Sequence, residues 1–230
     1  MLRRTFLRAG GLLPAAVFCF QKSVFSTSFK RIALTFDDGP EPAVLVRLLP
    51  LLEKHGVPAT FFVIGELAVN RGTILAHAHI LGHEFENHGY QHVKFTKLLA
   101  SEGIEGVRKS LQKTAAIIWK ETGRTPRFFR PPFWDSNSEL EQVINSFGYR
   151  MMKIGNPDIN SLDYDDVANK RSPSVLVERM KGQAESRNKN AIVDCIFVVH
   201  ERALTVLALE HFIPHMQDRG FVFCRLDAIL

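Results

Sequence analysis

The sequence contains few cysteines. Three occur in 230 residues, and only Cys195 and Cys224 lie beyond the N-terminal segment. Two cysteines exclude a dense disulfide framework and a cysteine-ligated metal cluster. Each lies in an apolar, strand-like run, which favours two buried thiols. A disulfide between them stays an alternative if the protein is exported.

Basic charge is concentrated in one short segment, and the rest of the chain has little excess of either sign. Residues 1–26 contain four basic residues and no acid, so removing these four charges takes the formal net charge from +5 to +1. No basic stripe is then left to bind a phosphate backbone. We therefore expect no nucleic-acid partner.

The N-terminus has the layout of an export signal. A basic start precedes an apolar stretch from Ala9 to Phe20, and a Ser-rich stretch follows up to Ser28. The apolar stretch is shorter than the roughly 20 residues that a membrane span needs, so we expect no stable span. The segment Arg3–Arg8 resembles the twin-arginine signal, with a general secretory signal as the alternative. Residues 1–28 thus predict export to the periplasm, the cell envelope or the extracellular space.

The remaining chain, 29–230, is predicted to form one α/β domain, because short β-branched or aromatic runs alternate with longer helical patterns. This alternation is typical of a parallel sheet with crossover helices, open or closed into a barrel. Strands are predicted at Ile32–Phe36, Ala59–Ile64, His83–Glu86, Phe128–Arg130, Arg150–Ile154, Ile192–Val199 and Phe221–Leu226. Helices are predicted near 41–55, 66–81, 97–122, 137–147, 173–187 and 204–219. The polar stretch Asn156–Ser172 predicts a long loop.

Polar side chains follow five of the predicted strands. In α/β sheets and barrels the carboxyl ends of the strands lie at one edge, where ligands bind. We therefore expect these side chains to converge: Asp37, Asp38, Asn87, His88, His92, Arg130, Asp158, Asp163 and His200.

Asp37 and Asp38 close the first strand, directly before Gly39-Pro40. Adjacent carboxylates at the end of a buried strand favour the presence of a cation or a shared proton. An Asp-Gly-Pro turn that needs no chemistry is the alternative. If the pair is functional, one carboxylate binds a metal and the other accepts a proton from water.

His88 and His92 are spaced i, i+4, so that on a helical turn both imidazoles face one metal. Two histidines and one carboxylate leave coordination positions open, as in a catalytic zinc site. Two other pairs share the spacing but do not follow a strand end beside an acid pair: His79 with His83, and His211 with His215.

Arg130 and His200 complete the candidate machinery. Arg130 follows Phe128-Phe129 at a strand end, where its guanidinium would pair with the carboxylate base. A surface arginine before a Pro-Pro turn is the alternative. His200 ends an apolar strand and is a candidate general acid, with a buried structural histidine as the alternative.

Four segments in this order resemble the motifs of the NodB-type polysaccharide deacetylases, carbohydrate esterase family 4: Thr35–Pro40, Asn87–His92, Arg130–Phe133 and Ile196–His200. The resemblance covers about residues 30–230. It implies a distorted (β/α) barrel with about seven parallel strands.

The resemblance also implies roles for individual residues. Asp38, His88 and His92 would hold a divalent metal, usually Zn²⁺, with Co²⁺ or Ni²⁺ as alternatives. Asp37 would be the base and Arg130 its orienting partner, while His200 would be the acid and Asp163 would tune it. The remaining residues would form the oxyanion and substrate pocket: Phe133 through its backbone N–H, Pro132, Tyr164 and Val198.

The implied activity is hydrolysis of N-acetyl groups on a glycan partner such as peptidoglycan or a chitin-like polymer, with release of acetate. An O-acetyl esterase, a deformylase, a cyclic-imide hydrolase and a catalytically silent glycan-binding domain are the alternatives. The chain departs from the family at four places. Gly89 stands where Ser or Thr is usual, and Asn160 and Glu201 each stand where Asp is usual. Lys153–Gly155 replaces an aromatic stretch. None of these departures removes a predicted metal ligand, acid or base, so we expect an active enzyme.

Overall fold

The computed structural model describes residues 30–153, 158–189 and 194–230. Its strands are β1 Lys30–Gly39, β2 Ala59–Val63, β3 Glu84–Asn87, β4 Phe128–Phe129, β5 Arg150–Met151, β6 Asp158–Asn160, β7 Asp194–His200 and β8 Phe221–Phe223. Its helices are α1 Pro42–Lys54, α2 Gly65–Ala68, α3 Gly72–Ile80, α4 Phe95–Thr122, α5 Ser138–Ser146, α6 Asp163–Ala168, α7 Pro173–Lys189 and α8 Ala203–Asp218.

The strands form one parallel sheet in the order β5-β4-β3-β2-β1-β7-β6, with β8 paired to the start of β1. The sheet curls into a half-barrel with β5 and β6 at its two edges. The predicted fold class, a distorted barrel with about seven parallel strands, is therefore confirmed.

Strand β1 lies at the centre of the sheet. It pairs with β2 on one side and with β7 on the other, and residues Ile32 to Asp37 are buried. A strand buried on both faces favours an unbroken apolar run, which Ile32–Phe36 supplies apart from Thr35. Its main-chain path carries Asp37 and Asp38 to the edge where the other strands also end.

Local sequence signals account for several helix boundaries. Helix α1 begins after Glu41, whose side chain accepts the main-chain N–H of Ala43, and Pro42 occupies its first turn. Helix α4 ends at Gly123, which has a left-handed φ of 68°. Helices α1, α3, α7 and α8 bury their apolar faces against one large core around β1, β2 and β7, while α4 and α5 pack around Phe129.

Three predictions about secondary structure were wrong. The helix predicted over 97–122 is interrupted at Gly103, whose φ of 67° is not helical. The single helix predicted over 66–81 is two helices, α2 and α3. The loop predicted over Asn156–Ser172 contains strand β6 and helix α6. Strand β6 forms because it pairs with β7, a long-range contact that its polar composition does not indicate. Helix α6 begins with three acids in its first turn, where the helix dipole favours negative charge.

Some sequence-based predictions lie outside the described residues. They include the export signal over 1–28, Ile154 of the predicted fifth strand, Ile192 and Val193 of the predicted sixth, and Gly155. In the part of the chain that is described, no helix is long and apolar enough to cross a membrane. Cys195 and Cys224 are not joined to each other by a disulfide. Cys195 is buried as predicted, whereas Cys224 is half-buried.

Candidate active site

The carboxyl ends of β1, β3, β4 and β7 bring the predicted polar side chains to one edge of the sheet. Asp37 and His200 are register partners across β1 and β7, and Asn87 and Phe129 are partners across β3 and β4. The convergence predicted from the strand ends is thus present for these four strands, because parallel strands end on the same side. The prediction for the fifth strand was wrong: Asp158 begins β6, and Asp163 reaches the site from the start of α6.

Asp38, His88 and His92 form one cluster. Asp38 Oδ1 lies 3.4 Å from His88 Nε2 and 3.2 Å from His92 Nε2, and the ligand atoms of the three residues lie within 4.8 Å of one another. Among the described residues this is the one group of His, Cys, Asp or Glu that is close enough to hold a metal. The other histidine pairs with i, i+4 spacing form no such group.

The spacing of the two histidines suggested a helical turn, but they do not lie on one. Residues 88–94 form an irregular loop before α4, and Gly89 has a left-handed φ of 86°. A Cβ at Gly89 would lie 2.7 Å from the Phe95 ring, so glycine is required there by both conformation and space. The loop still brings the two imidazole rings to 5.5 Å between centroids.

The donor set fits a divalent cation. His88 Nδ1 lies 2.6 Å from the carbonyl oxygen of Arg130, which accepts only, so Nδ1 carries a proton and Nε2, on the other side of the ring, faces Asp38 and is the nitrogen available to a cation. Burial raises the pKa of Asp38, but hydrogen bonds from His88 and His92 outweigh it and hold that pKa well below its ordinary value. Two imidazole nitrogens and one ionised carboxylate are ligands that Zn²⁺ prefers.

Asp37 and Arg130 form a buried ion pair. Arg130 Nη1 lies 2.6 Å from Asp37 Oδ1 and 2.9 Å from Thr35 Oγ1. Arg130 is fully buried, with its guanidinium 4.0 Å above the Phe62 ring. Arg130 therefore contacts one member of the acid pair in the interior and is not a surface arginine. Asp37 and Asp38 thus have different partners: a guanidinium for the first and two imidazoles for the second.

His200 and Asp163 form a second pair. His200 Nδ1 lies 2.6 Å from Asp163 Oδ1, so this nitrogen donates and Nε2 faces the cluster, 4.0 Å from Asp38 Oδ2. Burial lowers the pKa of His200, but the hydrogen bond and the charge of Asp163 outweigh it, and the pKa lies above its ordinary value. The main-chain N–H of His200 and the hydroxyl of Thr205 both donate to Asp163 Oδ2 at 2.7 Å.

Two aromatic rings flank the histidines. Phe133 is 59% exposed, and its ring lies 4.3 Å from that of His92. Tyr164 is 47% exposed and meets His200 edge-on at 5.5 Å. Phe133 follows the buried Pro132 with a left-handed φ of 60°, a strained conformation of the kind found at functional sites.

Val198 is fully buried, two residues before His200 on the same face of β7. The side chain of Asn160 accepts the N–H of Leu162, which forms a local turn. The side chain of Asp158 lies outside what the structure describes.

Glu201 packs under the loop that follows Asp38. Its Oε2 accepts the main-chain N–H of Glu41 at 2.6 Å, and burial raises its pKa to about 8. A Cβ at Gly39 would lie 1.7 Å from Glu201 Oε1, so any larger residue there would displace the Glu201 carboxylate. The sequence indicated neither this contact nor that of Thr205, because both join segments far apart in the chain.

Comparison with known proteins gives consistent matches. A family model described as polysaccharide deacetylase matches residues 26–152. A peptidoglycan-N-acetylglucosamine deacetylase of Bacillus cereus is 37% identical over 203 residues, which cover 86% of this chain and 67% of that protein. One of Listeria monocytogenes, named in the same way, is 27% identical over 87% of this chain.

Among solved structures, the CE4 domain of a multidomain xylanase from the hindgut metagenome of Trinervitermes trinervoides superposes with a TM-score of 0.70. It is 28% identical, and the match covers 87% of this chain and 89% of that domain. The chain spans only 39% of the length of the Listeria relative.

Proposed function

The chain belongs to the polysaccharide deacetylase family, and on that premise we propose that it hydrolyses N-acetyl groups of a glycan and releases acetate. The observation that carries the proposal is that the candidate metal ligands lie beside two pairs of residues suited to proton transfer. One pair is Asp37 with Arg130, and the other is His200 with Asp163. The relatives' names support peptidoglycan or a chitin-like polymer as the substrate.

Asp38 Oδ1, His88 Nε2 and His92 Nε2 would hold a divalent cation, Zn²⁺ first, with Co²⁺ or Ni²⁺ as alternatives. When bound, the cation would polarise the acetyl carbonyl and lower the pKa of a water molecule. The hydrogen bond from His88 to the Arg130 carbonyl keeps the ring turned with Nε2 toward Asp38.

Asp37 would take the proton of the attacking water. Its carboxylate is 3% exposed and is fixed through Oδ1 by Arg130, so it is held in one orientation beside the cluster. Fixed geometry of this kind is what general-base catalysis requires. Arg130 would act through Asp37, as a positioning residue.

His200 would give a proton to the leaving amine from Nε2. Asp163 supports this role because it binds Nδ1–H and stabilises the protonated ring. The main-chain N–H of Phe133 would stabilise the oxyanion. Pro132, Tyr164 and Val198 would form the walls of the acetyl pocket.

We also propose that residues 1–28 direct export, by the twin-arginine route, so that the enzyme meets cell-wall glycans outside the cytoplasm. A fusion of these residues to a reporter tests the route. Export that persists without the twin-arginine machinery, or after Arg3 and Arg4 are both replaced by Lys, would indicate the general secretory route instead.

Acetate release from the Zn²⁺-loaded protein tests the proposed activity. The panel is an N-acetylated chitooligosaccharide, peptidoglycan and O-acetylated xylan, with the Asp37→Asn variant as a control that is expected to keep the metal. Release from xylan alone would favour an O-acetyl esterase, a candidate supported by the likeness to the xylanase domain. Binding of glycans without any release would favour a silent glycan-binding domain.

A further inference from the structure

Arg202 lies beside Asp38, at the N-terminus of helix α8. Its Nη2 is 3.2 Å from Asp38 Oδ2, and its Nη1 donates to the carbonyl oxygen of Glu201 at 3.2 Å. The side chain is 38% exposed. The guanidinium therefore lies at the mouth of the candidate site and reaches solvent.

Neither folding nor the metal site accounts for this arginine. An ion pair with one half-exposed partner contributes little to stability, because water screens it. Asp38 already faces two imidazoles through Oδ1, and a divalent cation bound there would repel the guanidinium. Two of its five N–H donors take part in the contacts given above, which leaves donor capacity for a ligand.

Arg202 is also a near neighbour of the proposed acid. Asp38 Oδ2, the oxygen that Arg202 contacts, lies 4.0 Å from His200 Nε2. The guanidinium therefore lies close to the nitrogen from which the leaving amine would receive its proton. The substituents of the sugar nearest to that amine are those on the two ring carbons that flank the carbon bearing the acetamido group.

We propose that Arg202 is a substrate-recognition residue. It binds a carboxylate that the N-acetylated sugar carries on a ring carbon adjacent to the carbon bearing the acetamido group. An N-acetylmuramic acid unit, with its lactyl ether on that carbon, has this chemistry. A guanidinium binds a carboxylate through two parallel hydrogen bonds, which gives both charge and geometric selectivity. The inference rests on the proposed deacetylase function and narrows its substrate class.

The test compares two substrates within each protein. One is an oligosaccharide that contains N-acetylmuramic acid, and the other is the same oligosaccharide with its carboxylates converted to methyl esters. Acetate release is assigned to the muramic acid unit by mass spectrometry. The Zn²⁺-loaded wild type is expected to favour the free acid in kcat/KM by about tenfold or more, the scale of a hydrogen bond between charged groups.

In Arg202→Gln the preference is expected to fall to about twofold or less, mainly through KM, and Arg202→Lys is expected to keep part of it. Arg108→Gln is the matched control, because it removes the same charge from an exposed position on α4. A ratio of substrates is used because it is insensitive to a general loss of turnover. Dissociation constants of the de-N-acetylated acid and its ester, measured by calorimetry, give the same ratio without catalysis.

A wild type that deacetylates neutral chitooligosaccharides but does not distinguish acid from ester would overturn the role of Arg202 and leave the proposed function standing. A preference that survives in Arg202→Gln would also overturn it. Absence of acetate release from every substrate would instead count against the deacetylase function itself, and the inference would fail with it.

Discussion

Arg130 holds Asp37 with its side chain, through an Nη1 to Oδ1 distance of 2.6 Å, at a position where neither residue is in contact with bulk solvent. The main-chain carbonyl of the same arginine accepts the hydrogen bond of His88 Nδ1. Arg130, which directly follows β4, therefore orients both the proposed base and a proposed metal ligand. Because the second contact is made by the main chain, substitution of the side chain affects the first contact alone.

Replacing Arg130 by Met leaves the Asp37 carboxylate buried without its cation. We expect the free energy of unfolding at pH 7 to fall by about 3 kcal/mol, since an uncompensated buried charge is strongly destabilising. Urea denaturation measures this loss. The double variant Arg130→Met/Asp37→Asn should recover part of it, because the charge is then absent. A single variant as stable as wild type, or a double variant no better than the single, would contradict the interpretation.

Replacing Asp37 and replacing Asp38 should have different effects on Zn²⁺ affinity. Asp38→Ala removes one of three ligands, and we expect its Zn²⁺ affinity to fall by more than about 100-fold, beyond the loss typical of an outer-shell partner. Asp37→Asn should bind Zn²⁺ nearly as wild type does, while turnover falls by about 10²- to 10⁴-fold. Calorimetric titration and acetate release measure the two effects. Equal loss of metal in both variants would show that the roles are not divided in this way.

Removal of the metal should abolish catalysis but leave the protein folded. The ligand cluster lies at the strand ends, outside the apolar cores, so a chelator should abolish acetate release while the far-UV circular dichroism stays unchanged. Zn²⁺ added back should restore activity, and Co²⁺ or Ni²⁺ should restore it to different degrees. Full activity in the chelated protein would rule out the metal-dependent mechanism.

The sheet edge was predictable because one general rule, the shared direction of parallel strands, determines it. Asp37, Arg130 and His200 each directly follow or end an apolar run, and His88 comes just after a predicted strand, so their convergence needed no detail of packing. The helical turn expected for the two histidines was wrong because Gly89 adopts a left-handed φ, which a spacing rule does not include.

Other parts of the site depend on contacts between distant segments, and these leave no local pattern. Strand β6 exists because it pairs with β7, and Thr205 reaches Asp163 only after α8 packs beside α6. Arg202 likewise contacts Asp38, although the two residues are 164 positions apart in the sequence. The residue type at each of these positions is also common on protein surfaces, so it does not indicate the contact.

Asp163 should control the pH dependence of His200. Because its hydrogen bond and charge raise the pKa of His200 against the effect of burial, Asp163→Asn should lower that pKa. The protonated ring is then lost at a lower pH, so the alkaline limb of kcat/KM should move to lower pH, and kcat should fall by about 100-fold. Thr205→Val removes one hydrogen bond to Asp163 but keeps the charge of Asp163, so the limb should stay nearly in place. An unmoved limb in Asp163→Asn would mean that another group provides the proton.

Glu86 should make the protein less stable as pH rises. Its carboxyl is 3% exposed, its Oε2 accepts the N–H groups of Arg127 and Phe128 at 2.7 Å, and burial raises its pKa to about 8. Between the ordinary value of 4.5 and about 8 the folded state keeps a proton that the unfolded state releases. The free energy of unfolding contributed by this group is therefore fully present at low pH and declines by up to about 1.4 kcal/mol per pH unit within that window.

Glu86→Gln tests this directly, because the amide keeps an oxygen that accepts the N–H groups of Arg127 and Phe128 but has no proton to lose. Urea denaturation at pH 5, 6, 7 and 8 should show a shallower decline for this variant, which overtakes wild type as pH approaches 8. Glu201 is also buried and titrates in the same range, but it does so in both proteins, so the difference between their slopes isolates Glu86. Glu105→Gln, at an exposed position on α4, should follow wild type throughout. If wild type and Glu86→Gln have equal slopes, Glu86 is ionised in the folded protein and its two N–H donors outweigh burial.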